Sequence, residues 1–156
     1  METNIGKKVI IRGDRSGAEF GTLVAHNGRE VTLHNARRIW YWDGAATLSQ
    51  LATDGTSKLC ECKFTIAVSS ITILDAIEII PCSEKAIKSI EDYIVFKNWW
   101  SSGRYFTWTR SNNMWKVGCF YGTGEELIHK AYADNEESGK EYERIVRYVE
   151  NILASK

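Results

Sequence analysis

KVIIRGDRSGAEFGTLVAHNGREVTL, residues 8–33, is the stretch on which the fold turns. Lys8 to Arg12, Glu19 to Val24 and Glu30 to Leu33 are short runs rich in Val, Ile, Phe, Thr and Leu. Such side chains suit a pleated, half-buried surface. Asp14-Arg15-Ser16-Gly17 separates the first two runs, and His26-Asn27-Gly28-Arg29 the next two. The Asn-Gly pair favours a tight type I′ turn, so an antiparallel meander is predicted.

Downstream, Arg37 to Trp42 reads as a further strand, with Asp43-Gly44 as a turn. In Ala46 to Ala52, Leu48 and Leu51 suit one short helical turn that ends near Gly55. Lys63 to Val68 and Ile71 to Ile80 read as two more strands, the last stopped by Pro81, which cannot donate to a ladder. Ser83 can cap a short helix from Glu84 to about Glu91, with Ile87 and Ile90 on one face. Residues 1–92 are thus expected to form a β-barrel-like domain with short helices.

Composition then shifts. Ten of the 18 aromatic residues lie between Asp92 and Gly122. Arg104 to Thr109 and Met114 to Tyr121 look like strands around the turn Ser111-Asn112-Asn113, and the alternation of Trp115, Val117, Cys119 and Tyr121 predicts one buried face. Thr123-Gly124-Glu125-Glu126 and Ser138-Gly139-Lys140-Glu141 both match the capping box, in which hydroxyl and glutamate satisfy each other's free backbone donors. Leu127, Ile128, Ala131 and Tyr132 form the apolar stripe of the first helix; Tyr142, Ile145, Val146, Val149 and Leu153 form that of the second. The expected fold is α+β: a small antiparallel SH3-like β-barrel, then, over 93–156, an aromatic β-hairpin and a helical hairpin.

With 156 residues, 44% hydrophobic and 26% charged, the chain can bury a core of its own. Its 20 basic and 20 acidic side chains cancel, so net charge does not call for a polyanionic partner. Charge is unevenly placed, however. Asp92 to Gly122 holds four basic residues against one acid, and Thr123 to Lys156 five against eight. No segment has the roughly 18 apolar residues of a membrane helix. The start METNIGKKVI lacks the apolar core of a signal peptide, so the cysteines at 60, 62, 82 and 119 are expected to be reduced thiols of a soluble protein in a host cytoplasm.

Gly6-Lys7-Lys8-Val9 through Phe20-Gly21-Thr22-Leu23 and Val31-Thr32-Leu33-His34-Asn35-Ala36 resembles the opening strands of an Sm-like or other SH3-like barrel. Arg29-Glu30 stand where the Sm family carries the Met-Asn pair that helps hold RNA bases. From Arg37-Arg38-Ile39-Trp40-Tyr41-Trp42-Asp43-Gly44 to Glu78-Ile79-Ile80-Pro81-Cys82, the chain resembles a family of short phage and prophage proteins of uncharacterised activity, over roughly residues 5–92. Val117 to Thr123 is similar to a module appended to several phage accessory proteins. The resemblance implies a viral origin and no particular activity.

Arg37-Arg38-Ile39-Trp40-Tyr41-Trp42 is the densest chemical pattern. In a strand, Arg37, Ile39 and Tyr41 share one face and Arg38, Trp40 and Trp42 the other, so each face joins guanidinium to aromatic ring. That combination suits a nucleotide: Arg grips phosphate in a bidentate fork, and a ring stacks a base for roughly 1–3 kcal/mol. Equally, large aromatics build cores and subunit interfaces. A second candidate is the basic hairpin, with Arg104, Phe106, Trp108 and Arg110 on one face and Asn112 at its turn, again open to a packing role.

Other chemistry finds less support. Cys60-Glu61-Cys62 with His34 lacks the spacing of a zinc site, and no His is placed locally to activate Cys119. Gly13 to Gly17 reads as a turn, not a phosphate loop, and Asp75 and Glu78 face opposite sides of a strand. A non-enzymatic protein without cofactor or metal is therefore expected. It would form a homo-oligomer through its β-domain and sequester a small anionic nucleotide, such as an immune signal of the host. Arg37, Arg38, Arg104 or Arg110 would take phosphates, and Trp40, Trp42 or Trp108 would stack the base. Two alternatives are a virion accessory subunit or inhibitor docked on a host or phage protein, and a nucleic-acid binder.

Overall fold

β1 (Lys8–Gly13), β2 (Ala18–Asn27) and β3 (Glu30–Tyr41) form the expected antiparallel meander in the computed structural model, which describes residues 3–97 and 103–153. Gly17 (φ 87°) and Gly28 (φ 60°) make the two turns in the left-handed region that side-chain-bearing residues avoid. β3 is longer than the sequence suggested, because Glu30–Leu33 and Arg37–Tyr41 join through Asn35, held at φ 48°. Opposite this irregularity, a Cβ on Gly21 would lie 3.0 Å from the His34 carbonyl oxygen, so any larger residue would push the strands apart by a few tenths of an ångström.

α1 (Leu48–Asp54) begins at Thr47, whose side chain accepts from the Gln50 amide, and ends at Gly55. β4 (Lys63–Phe64), β5 (Val68–Ile73) and β6 (Ala76–Pro81) follow, then α2 (Glu84–Glu91), capped by Ser83 as expected. The sheet order is β4-β3-β2-β1-β6, with β5 also pairing β3. Among the described residues no strand pairing joins β6 to β4 or β5, so no closed barrel is formed.

The strand expected over Ile71–Ile80 is broken at Leu74-Asp75. Asp75 turns aside because its carboxylate accepts from the amides of Arg15 (2.7 Å) and Ser16 (2.9 Å) and from the Ser16 hydroxyl (2.5 Å), binding the β5–β6 bend to the β1–β2 turn. These donors pull its pKa down to about 2, with the Ser16 hydroxyl the largest cause. A depressed carboxylate stabilises the fold above its unfolded value near 3.8, and that contribution fades as pH falls toward about 2. Asp75→Asn is therefore expected to lower the melting temperature at pH 7, with the gap from the parent closing between about pH 4 and pH 2 in thermal melts.

Register separates the two faces of the sheet. Ile10, Phe20 and Arg37 lie in one cross-strand row, and Arg37 reaches the Ile90 carbonyl oxygen on α2 (3.3 Å), so this face meets the helices. Lys8 also bridges to Glu91 of α2 (2.7 Å). On the opposite face Val9, Ile11, Leu23, Val31, Leu33, Ala36 and Ile73 form a buried cluster. At about 1.5–3 kcal/mol for each large apolar side chain removed from water, such packing on both faces is the main stabilising force.

The chain divides into two compact units at Ile94/Val95. In the second, the strand expected over Met114–Tyr121 is two strands. β9 (Met114–Val117) and β10 (Phe120–Thr123) are joined by a turn at Gly118 (φ 58°), and with β7 (Tyr93–Lys97) and β8 (Tyr105–Thr109) they give the order β10-β9-β8-β7. Trp115 and Val117 are buried as expected, whereas Cys119 and Tyr121 are exposed because the turn ends the alternation.

α3 (Gly124–Asp134) starts at the Thr123–Glu126 capping box, with both reciprocal bonds present. α4 (Glu136–Tyr148) starts earlier than expected. Asn135 caps it by accepting from the Ser138 amide, which places the Ser138-to-Glu141 motif inside the helix. Phe106 meets Tyr142 of α4 edge to face, with ring centroids 4.8 Å apart.

Candidate functional site

Strand alternation places Arg38 and Trp40 on one face of β3, with Ile39 buried on the other. The pairing registers build a row across the sheet: Ile79, Ile11, Glu19, Arg38. Thr65 continues it, its hydroxyl accepting from the Arg38 amide at 2.9 Å. Glu19 is only 2% exposed and is the one charged side chain fully buried among the described residues. Arg38 Nε donates to Glu19 Oε1 at 2.5 Å, while half of the Arg38 side chain stays open to solvent. Burial pushes the Glu19 carboxyl above its usual range, and the Arg38 hydrogen bond and charge pull it back. The result is a buried carboxylate closed off from water by a guanidinium whose terminal amino groups lie on a half-exposed side chain.

Two positions along the strand, Trp40 is 57% exposed, and the Lys63 ammonium lies 4.7 Å from its ring centroid. A cation over an indole face at this distance is worth roughly 0.5–1 kcal/mol at an exposed site. Tyr41 stands opposite Lys63 and is also exposed. The end of the first sheet therefore presents an indole with an ammonium against it, a half-exposed arginine two positions along the strand, and an exposed phenol at the next residue. Lys63 and Glu19 were not singled out from the sequence. Lys63 belongs to a two-residue strand without a distinctive pattern, and the lone charge of Glu19 within apolar Ala18–Val24 was the available signal.

The other candidates are placed differently. Arg37 points to the helix side, half-buried with its bond to the Ile90 carbonyl, so it does not join Arg38 and Trp40. Trp42 lies past the end of β3 and is half-buried. Trp108 is 1% exposed, directly opposite Trp115, and its indole N–H donates to Asn113 Oδ1 at 2.7 Å. The sequence had offered its ring for stacking a base, but packing within the second unit leaves no face for that. Arg104 and Arg110 are exposed, the latter 6.0 Å from the Trp108 ring centroid, and Asn112 accepts from the Met114 amide within its own turn. Arg37, Arg38, Trp40 and Trp42 belong to the first unit, and Arg104, Trp108, Arg110 and Asn112 to the second.

The described thiols are poor nucleophiles or lie in open turns. Burial pushes the Cys82 thiol up to about 12, so its thiolate is negligible at neutral pH. Cys62 is buried with its Sγ within 3.6 Å of the Asp43 carbonyl oxygen and the Thr56 hydroxyl, where it helps fasten the 43–62 loop. Among the described residues no three His, Cys, Asp or Glu side chains are grouped to hold a metal ion, and no helix is long and apolar enough to cross a membrane.

The chain belongs to the family described as a domain of unknown function (DUF6948), whose model matches residues 6–90, inside the first unit. No curated protein and no solved structure matches it.

Proposed function

We propose that this member of the DUF6948 family is a non-enzymatic binding protein that holds an anionic aromatic ligand, with the chemistry of a nucleotide, at the Arg38–Tyr41 end of its first sheet. The observation that carries the reading is the exposed Trp40 ring with the Lys63 ammonium against it and the half-open Arg38 guanidinium two residues away. An indole can stack a base, and the two cations can take phosphate oxygens. On this reading the protein sequesters its ligand, such as a host immune nucleotide removed from a host cytoplasm.

The test is thermal melting of the whole chain against cyclic and linear nucleotides. A ligand at about 100 times its dissociation constant adds roughly 2.7 kcal/mol of stability. A shift that is lost in Trp40→Ala and weakened in Lys63→Ala is the expected result; no shift from any nucleotide overturns the reading.

A second reading, docking on a host or phage protein, is favoured by a different observation. Arg37 and Arg38 already have partners inside the fold, which leaves Trp40 and Tyr41 as exposed aromatic anchors of the kind that dominate protein interfaces. Co-purification of one stoichiometric protein partner, lost in Trp40→Ala, would distinguish it.

A further inference from the structure

We infer that the outer edge of β5 is the docking site for a second copy of this chain, strand against strand about a two-fold axis. β5 pairs with β3 along one side, and among the described residues no strand pairs with its other side. Thr65 to Ser70 are all exposed. Ile66 is 59%, Val68 51% and Leu74 72% exposed, so apolar side chains lie in water at the start of β5 and just beyond both its ends.

An open edge offers a row of backbone donors and acceptors to any other strand, and soluble proteins guard such edges with charge, proline or a bulge. The opposite edge of this sheet is guarded: β6 carries Glu78, ion-paired to Arg12, and ends at Pro81. The β5 edge has no such guard. Phe64 to Leu74 contains no charged residue, no glycine and no proline, and Val68 to Ile73 contains four β-branched residues in a run of six. This is the composition of a segment that pairs readily with another strand.

Charge selects the occupant. A partner strand bearing charges would meet no counter-charge over these residues, whereas a second β5 meets a neutral strand with no like-charge opposition. The whole chain adds no repulsion between copies, since its 20 basic and 20 acidic side chains cancel. β5 already runs in an antiparallel sheet, and a two-fold axis places its own copy antiparallel to it, giving one continuous sheet through an isologous interface. This inference is independent of the ligand at Trp40.

Light scattering coupled to size exclusion, run on the full chain over a range of concentrations, tests it. The expected result is a mass twice that of one chain at high concentration, and a dimer dissociation constant raised about tenfold or more by Ser69→Lys/Ser70→Lys, which places ammonium groups against their own images. A chain that stays monomeric at several hundred micromolar overturns the inference, as does a dimer untouched by the two lysines in a variant whose melting temperature is unchanged. Should the variant fail to fold, amide exchange of the parent protein decides. Slower exchange over 68–73 at high concentration supports pairing, and exchange there that does not change with concentration overturns it.

Discussion

Replacing Arg38 by Met is expected to destabilise the first unit by about 3 kcal/mol at pH 7, the lower end of what breaking a buried ion pair costs, since half of the Arg38 side chain lies in water. Glu19 would remain buried beside Ile11 without its guanidinium. The pH dependence gives the sign. Burial already holds the Glu19 carboxyl above its unfolded value of 4.5, and removing Arg38 removes what opposes that rise. A raised carboxyl contributes most below the unfolded value and loses that contribution as pH rises through the folded one. Arg38→Met should therefore be weakest at neutral pH and approach the parent as pH falls toward 4.5, as followed by urea unfolding at several pH values. Glu19→Gln, which carries no charge to bury, should cost far less and flatten the profile. A loss in Arg38→Met that does not vary with pH would mean that Arg38 acts by packing alone.

Trp108→Ala should destabilise the second unit by about 3–5 kcal/mol, the range for removing a large aromatic from a packed interior. The ring is sealed against Trp115, and its N–H is satisfied by Asn113. Trp40→Ala, by contrast, should cost markedly less, since the ring is 57% exposed and its contact with the Lys63 ammonium is worth about 0.5–1 kcal/mol. The two substitutions remove the same side chain from two strands. Chemical unfolding followed by tryptophan fluorescence, with calorimetry to separate the units, measures the difference. Equal losses would contradict the assignment of one indole to the interior and the other to the surface.

Where a signal is local, the sequence carried it. The hairpin at Gly28, the Ser83 cap and the Thr123–Glu126 capping box each depend on residues within a few positions of one another. Both caps form as read, and the hairpin forms with its turn one residue later, at Gly28-Arg29, where Gly28 alone has positive φ and the turn is not type I′. The reading failed where distant residues compete. Ile71–Ile80 has an unbroken strand composition, yet the chain bends at Asp75 because donors at Arg15 and Ser16, some sixty positions away, take its carboxylate. The start of α4 was misread for a local reason: Asn135 and Ser138 are both good caps three residues apart, and Asn135 took the cap by accepting from the Ser138 amide.

The sequence by itself determined the α+β class, the antiparallel meander and the presence of a basic, aromatic strand at Arg37–Trp42. Only the tertiary structure decided which of those side chains remain available. Arg37 turned to α2, Arg38 was drawn to Glu19, and Trp40 stayed more than half exposed with Lys63 against its ring, while in the second unit Trp108 was enclosed. The physical reason is that alternation along a strand fixes which face a residue takes, while the elements that cover that face come from elsewhere in the chain. Whether a guanidinium or an indole is packed or presented is therefore settled by its neighbours in space.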